Sequence, residues 1–188
     1  MEKKGYIFLA DGFEDIEALM VVDLMRRAGI DLKTVSITDS LEVETSHQVR
    51  LKTDCTLAET DFTDADLLIL PGGMPGTKHL QECSALAEIL RNQYEKGGRI
   101  AAICAAPTVL SGLGFLEDRR ATSYPSVEGQ LKVKEYRTDP VVVDGNITTS
   151  RGLGTAIDFA LCLIAQLLGE EKAASIASSV VYTSYQPL

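Results

Sequence analysis

The chain has 188 residues and a formal net charge of −9, a length that suits one domain (1–188) with a sizeable core. The acidity argues against nucleic acid as a partner, because phosphates need clusters of Lys and Arg. No apolar run approaches the ~20 residues of a membrane helix. The amino-terminal apolar stretch is short and is followed at once by acidic residues, unlike a secretion signal. We therefore expect a cytoplasmic protein that binds neither nucleic acid nor membranes.

Short apolar runs alternate with longer amphipathic segments along the chain. The predicted strands lie at residues 5–10, 32–37, 65–70 and 99–103. The predicted helices lie at residues 14–28, at 77–96, from about 106, at 154–168 and at 170–181. Residues 42–56 resemble a short β excursion, and residues 121–149 hold short β segments that include 141–143 and 147–149.

The order of these elements predicts an α/β fold. Strands this apolar are usually buried on both faces, so the helices between them should cover a mostly parallel sheet on both sides. In such sheets the working site lies beyond the carboxyl ends of the strands. Three of these ends carry unusual chemistry: the acidic turn at residues 11–17, Pro71-Gly72-Gly73, and the turn at Cys104.

Cys104 lies directly between the strand RIAAI and the next predicted helix, with Ala102 and Ala106 two residues away on either side. A nucleophile on a sharp strand–turn–helix needs small flanking residues, and Pro107 suits a first helical turn. Free N–H groups and the helix dipole should lower the pKa of the thiol. The N–H of Ala105 is a candidate oxyanion donor. The alternative interpretation is a buried structural cysteine.

The other cysteines lack this setting. Cys162 belongs to an apolar helix and should be a core residue, whereas Cys55 and Cys83 have no distinctive neighbours. No CxxC pair is present, so we expect no metal site and free thiols in a reducing compartment.

Two other strand ends could supply partners for Cys104. Gly72 and Gly73 allow a ligand to approach the backbone, and the N–H of Gly73 is a second candidate oxyanion donor; a simple turn is the alternative. Glu14 and Glu17 are three residues apart and should share a helical face. A carboxyl pressed against a thiolate has a raised pKa and can act as general acid or base; a solvated helix start is the alternative.

A Cys–His pair needs an imidazole within reach. The only histidines are His47 and His79, and neither lies at a predicted strand end. Both are expected on the surface, so a cysteine peptidase triad is poorly supported.

Five segments together carry a resemblance to a known family: DGFEDIEA, VDLMRRAGI, LPGGMPG, AAICAAP and TSRGLGTAIDFAL. The chain resembles the ThiJ/PfpI family in its DJ-one branch, as a bacterial-type member. The resemblance implies a flavodoxin-like sandwich of the class I glutamine amidotransferase type, usually a homodimer, and we expect no cofactor.

The resemblance also implies roles for individual residues. Cys104 would be the reactive cysteine and Glu17 the protonated carboxyl that touches it, with Gly73 and Ala105 as oxyanion donors. Further matches to family positions around the pocket mouth and the dimer contact are Arg27, Ser150 and Arg151.

The chain departs from the family pattern at three positions. Tyr124 stands where many relatives have a histidine, His47 where some have an arginine, and Leu153 where a proline is common. The first departure removes the usual Cys–His proton path.

Three functions are compatible with these residues. The first is an enzyme of the glyoxalase or deglycase type, which acts on small reactive dicarbonyls or early glycation adducts through the Cys104 thiolate and Glu17. The second is a non-enzymatic redox sensor or chaperone that uses oxidation of Cys104 to sulfinate. The third and weakest is a cysteine peptidase or amidase, because Tyr124 replaces the histidine.

Overall fold

A computed structural model of the chain describes residues 2–185 and 187. Met1, Gln186 and Leu188, which the predicted domain 1–188 includes, lie outside the described residues. The strands are β1 (Lys4–Leu9), β2 (Asp31–Ser36), β3 (Glu42–Glu44), β4 (Arg50–Lys52), β5 (Cys55–Thr56), β6 (Leu67–Leu70), β7 (Arg99–Ile103), β8 (Arg120–Ala121), β9 (Glu135–Tyr136), β10 (Val141–Asp144) and β11 (Ile147–Ser150). The helices are α1 (Asp15–Arg27), α2 (Gly76–Glu82), α3 (Ser84–Glu95), α4 (Pro107–Gly112), α5 (Ala156–Leu168) and α6 (Glu170–Ser179), with short 3₁₀ turns at Pro125–Gln130 and Leu153–Thr155.

Seven strands form one mostly parallel sheet in the order β10-β11-β7-β6-β1-β2-β5. Only the edge strand β10 runs antiparallel to its neighbour within it. The chain builds the sheet outward from β1 through β2 and then returns to add β6 on the other side of β1. In sheets of this kind, ligands bind at the carboxyl ends where the order reverses, which here is between β1 and β6.

Two hydrophobic cores lie on opposite faces of the sheet. Alternate side chains of β1 serve both cores: Ile7 and Leu9 pack with residues of α1, α5 and α6, whereas Tyr6 and Phe8 pack with residues of α2, α3 and α4. This two-sided burial explains why the central strands are almost entirely apolar. The predicted α/β sandwich with a mostly parallel sheet is confirmed.

The predicted single helix 77–96 is wrong, because the chain breaks at Cys83. Its backbone is extended (φ −81°, ψ 97°), which ends α2 and begins α3. Leu80 on α2 and Leu86 on α3 both pack into the same core. In one continuous helix these two residues, six apart, would point in clearly different directions, so the break turns both toward the sheet.

The apolar side chains of the segment VDLMRRAGI face the interior of the chain. Val22, Leu24 and Met25 are buried in the core of the chain itself. The exposed apolar residues of α1 are instead Ile16 and Leu19, which are 41% and 40% exposed.

Within the described residues, none of the helices combines the length and the apolar character that crossing a bilayer requires.

Candidate active site

The three strand ends with unusual chemistry lie side by side. β6 is paired with β1 on one side and β7 on the other, so the Gly72–Gly73 loop lies between Cys104, after β7, and the segment that leads into α1. The predicted meeting of these three segments is therefore found in the structure.

Cys104 occupies a strained turn. Its φ of 65° lies in the left-handed region, which costs a non-glycine residue on the order of 1–3 kcal/mol and tends to mark functional sites. Two hydrogen bonds hold the turn: the Cys104 N–H donates to the Ser150 carbonyl at 3.0 Å, and the Cys104 carbonyl accepts from the Tyr124 N–H at 2.8 Å. This is the geometry of a nucleophile elbow, and the thiol is half-buried.

Glu17 projects from the first turn of α1 into the site and is only 1% exposed. Its Oε2 accepts a hydrogen bond from the Gly72 N–H at 3.0 Å. Its Oε1 is buried and has no hydrogen-bond partner of good geometry within the described part of the chain. Burial raises the pKa of Glu17 to about 7, and the charge of Glu14 also raises it. The interaction with Cys104 acts in the opposite direction and lowers it.

Glu14 fixes the start of the helix that carries Glu17. It is the N-cap of α1, and its Oε2 accepts the Glu17 N–H at 2.7 Å. The expected common helical face of Glu14 and Glu17 is thus replaced by a capping contact, which leaves Glu17 as the carboxyl that enters the site.

Gly72 is required by the closeness of the two reactive side chains. A Cβ on Gly72 would lie 2.6 Å from the Cys104 Cβ and 2.7 Å from Glu17 Oε2, which is closer than such atoms can approach. Gly73 follows with φ +92°, and its N–H and that of Ala105 both lower the pKa of the Cys104 thiol. The two predicted oxyanion donors therefore lie near enough to the reactive atom to favour its negative charge.

The predicted lowering of the Cys104 pKa is wrong in its net direction. Burial, and then the charge and hydrogen bond of Glu17, raise the pKa of Cys104 to about 12, whereas the Ala105 and Gly73 N–H groups lower it as expected. The helix after the elbow, α4, has only six residues, so its dipole is small. Cys162 is buried as predicted, and burial raises its pKa to about 11.

Tyr124 and Gly152 form another wall of the site. Tyr124 is 49% exposed. A Cβ on Gly152 would lie 3.3 Å from the Tyr124 Cδ2 and 3.7 Å from Glu17 Oε1. The nearby Leu153 backbone also lowers the pKa of Glu17, against the larger effect of burial. The backbone of residues 152–153 was missed by the sequence reasoning, although the segment TSRGLGT contained it.

The side chains of the remaining predicted residues make their hydrogen bonds and ion pairs with groups other than the Cys104 sulfur. Arg151 Nη1 donates to the Thr138 carbonyl at 2.8 Å. The buried Ser150 hydroxyl donates to the Pro140 carbonyl at 2.7 Å, and Ser150 supports Cys104 through its own carbonyl. Arg27 is exposed and pairs with Asp23 at 2.7 Å on the same helix.

Both histidines have partners away from Cys104. His47 Nδ1 lies 2.7 Å from Asp15 Oδ2, and His79 Nδ1 lies 2.9 Å from the Asp11 carbonyl oxygen. Ligand atoms of Glu14, Asp15 and His47 lie within 4.8 Å of one another, close enough to share a cation. The hydrogen bond between Asp15 and His47 already accounts for the closeness of those two side chains.

The elbow cysteine and the buried carboxyl lie in a chain that matches a known family. The sequence model of the DJ-1/PfpI family matches residues 3–166. The chain belongs to the DJ-1/PfpI family. Protein dj-1beta of Drosophila melanogaster is 40% identical over 183 residues, which cover 96% of this chain and 98% of the relative.

Two further members of the DJ-1/PfpI family bear on the site. The glutathione-independent glyoxalase DJR-1.2 of Caenorhabditis elegans is 35% identical over 180 residues, with 93% of this chain and 94% of the relative covered. The structure of Toxoplasma gondii DJ-1, described as oxidized, superposes with a TM-score of 0.93 at 35% identity and covers 96% of this chain and 99% of that one. The class I glutamine amidotransferase-like fold implied by the sequence resemblance is therefore confirmed.

Proposed function

We propose that this DJ-1/PfpI protein converts α-oxoaldehydes to hydroxy acids without a cofactor, through Cys104 and Glu17. One observation carries the proposal: the strained Cys104 thiol lies against a buried carboxyl whose pKa is raised to about 7. The relative named as a glutathione-independent glyoxalase supports the assignment. Early glycation adducts, which present related carbonyl carbons, belong to the same substrate class.

The carboxyl and the thiol act as one proton-sharing unit. Above pH 7 the pair retains a single proton, because burial and the charge of the ionised carboxyl together hold the Cys104 pKa well above its ordinary value. Transfer of that proton from sulfur to Glu17 gives the thiolate without placing a second negative charge in the site. The N–H groups of Gly73 and Ala105 stabilise the thiolate.

The reaction needs only this proton and water. The thiolate adds to the aldehyde carbon of R–CO–CHO, and Glu17 returns its proton to the new oxyanion to give a hemithioacetal. The Glu17 carboxylate then removes the C–H proton, and the hydroxyl proton passes to the neighbouring ketone oxygen through an enediol. Glu17 returns its proton to the neighbouring carbon, so the first carbon is oxidised to a thioester as the second is reduced to an alcohol. Water hydrolyses the resulting thioester to R–CH(OH)–COOH and regenerates the thiol.

The test is lactate formation from methylglyoxal in glutathione-free buffer. Wild-type protein is expected to form lactate, Cys104→Ala to form none, and Glu17→Gln to lose at least about a hundredfold in kcat, as is usual for removal of a general acid–base group. Cys83→Ala, which removes another half-buried thiol, should retain wild-type activity. Equal lactate formation by Cys104→Ala would refute the proposal.

A redox role is the second candidate, because the same site can stabilise an oxidised sulfur. Two molecules of peroxide convert the thiolate to sulfinate and water, and a protonated Glu17 together with the Gly73 and Ala105 N–H groups can hold the new oxygens. The oxidised Toxoplasma relative supports this candidate. At low peroxide, mass spectrometry should find two added oxygen atoms on Cys104 alone, with less in Glu17→Gln. Equal oxidation of all four cysteines would exclude a sensor or a redox-controlled chaperone role.

A peptidase or amidase has the least support. It requires an imidazole to activate the thiol, and His47 and His79 are paired elsewhere.

We also propose that the protein is a homodimer and acts in the cytoplasm. Ile16, Leu19 and Val49 are exposed apolar residues, and the loop of the β3–β4 hairpin is joined to the start of α1 by a hydrogen bond from the Ser46 N–H to the Phe13 carbonyl. Four free cysteines suit a reducing compartment. Sedimentation equilibrium should show a dimer that Leu19→Glu dissociates and Val181→Glu does not.

A further inference from the structure

We propose that the mouth of the site selects α-oxoaldehydes that carry an apolar, preferably aromatic, substituent, and that Tyr124 is the main specificity-determining residue. The inference rests on the proposed function and goes beyond it by naming the substrate class.

Three exposed apolar side chains belong to segments that border the reactive pair. Eight large apolar side chains are exposed in the described part of the chain, and three of them are Met74 (62%), Tyr124 (49%) and Leu153 (52%). They come from three separate loops. Because apolar surface is unfavourable in water, apolar side chains at the edge of a reactive site favour a substrate with an apolar part.

Each of the three residues is anchored to the pair by backbone. Met74 directly follows the Gly72–Gly73 loop, where a Cβ on Gly72 would lie 2.6 Å from the Cys104 Cβ. The Tyr124 N–H donates to the Cys104 carbonyl, and Leu153 directly follows Gly152, whose Cβ position lies 3.7 Å from Glu17 Oε1. We call these three side chains the apolar collar. A carbonyl carbon bound at the sulfur would place its substituent among the three segments that carry the collar.

The ring of Tyr124 is the part of the collar best placed for a flat substituent. Gly152 separates the ring from Glu17 Oε1, and a side chain there would contact both. The absence of a side chain at Gly152 keeps the space beside the ring open. An aromatic substituent conjugated to the dicarbonyl can pack against the ring in an offset or edge-to-face arrangement.

The charges around the site disfavour an anionic substituent. In its one-proton form the pair of Cys104 and Glu17 carries a negative charge, and Glu14 adds a second carboxyl nearby. The predicted cationic residue of the site, Arg151, donates to the Thr138 carbonyl. A carboxylate or phosphate on the substrate would therefore meet net negative potential, in a chain whose formal charge is −9.

The first experiment compares kcat/KM for phenylglyoxal, 4-carboxyphenylglyoxal and methylglyoxal. Wild-type protein should prefer phenylglyoxal to its carboxylated analogue by at least about tenfold, a ratio typical of a single apolar contact. Tyr124→Ala should lower kcat/KM for phenylglyoxal about tenfold and that for methylglyoxal less than about twofold. Tyr124→Phe should retain the preference, and Leu168→Ala, which removes an exposed apolar side chain of α5, should leave all three values unchanged. An equal loss for all substrates in Tyr124→Ala would overturn the assignment.

A second measurement separates this inference from the proposed function. The ratio of Cys104 alkylation rates by N-phenyliodoacetamide and iodoacetamide needs no turnover. We expect that ratio to fall in Tyr124→Ala and not in Leu168→Ala. If no oxoaldehyde is turned over but the ratio falls as expected, the proposed function fails and the apolar collar stands. If the ratio is the same in all variants, the apolar collar is refuted whatever the activity.

Discussion

Replacing Glu17 by Gln should make the protein more stable at alkaline pH, even though it removes a residue of the site. The carboxyl is 1% exposed, and its pKa is raised from an ordinary value of 4.5 to about 7. The folded state therefore holds this proton more tightly than the unfolded state. The stability that the protonated form contributes is fully present below pH 4.5 and is lost as the pH rises through 7.

The size of the effect follows from the shift. At 1.36 kcal/mol per pKa unit, the wild type loses about 3 kcal/mol of unfolding free energy between these limits. Gln stays neutral and keeps an oxygen to accept the Gly72 N–H, so it avoids this loss. Urea unfolding at fixed protein concentration should show the free-energy difference between Glu17→Gln and wild type rising by about 2–3 kcal/mol from pH 5 to pH 8.5.

The exposed Glu88 on α3 provides a control for the loss of one negative charge. Glu88→Gln should stay within about 0.5 kcal/mol of wild type at every pH. A pH-independent difference for Glu17→Gln, or one that falls as the pH rises, would show that the carboxyl does not carry a raised pKa and would refute the reasoning.

Three further predictions concern the packing of the site and core. Gly72→Ala puts a methyl group 2.6 Å from the Cys104 Cβ, so turnover should fall by at least about tenfold, whereas Gly129→Ala, with open space around its Cβ, should be as active as wild type. Iodoacetamide should modify Cys104 in the native protein and reach the buried Cys162 only after unfolding; equal labelling by mass spectrometry would contradict the burial. Phe159→Ala removes a fully buried ring and should lower the unfolding free energy by about 3–5 kcal/mol in urea, and a loss below 1 kcal/mol would contradict its place in the core.

The sheet and the meeting of its three chemically unusual strand ends were predictable from local pattern. Apolar runs such as LLIL are buried on both faces, and parallel strands bring their carboxyl ends to one edge. Cys104 was identifiable because small flanking residues and a helix start lie beside it in sequence, whereas the local pattern offered both Glu14 and Glu17 and only the family resemblance favoured Glu17.

What could not be predicted depends on contacts between distant segments. The break at Cys83 follows from turning Leu80 and Leu86 toward one core, which periodicity within a single helix does not reveal. The raised pKa of Cys104 depends on burial and on a carboxyl 87 positions away in the chain. Gly152 lies beside Glu17 only because the chain after β11 folds back toward α1, and this contact joins residues far apart in sequence.

The shared proton of Cys104 and Glu17 is the central claim, and the pH dependence of Cys104 alkylation tests it most directly. The rate, followed by mass spectrometry, should rise with a midpoint near pH 7 in the wild type, where the pair loses its first proton. In Glu17→Gln the midpoint should move up by more than one pH unit, because burial still raises the thiol pKa and no carboxylate can accept the proton. Identical profiles in the two proteins, with both midpoints at the ordinary thiol value of about 8.5, would contradict the account.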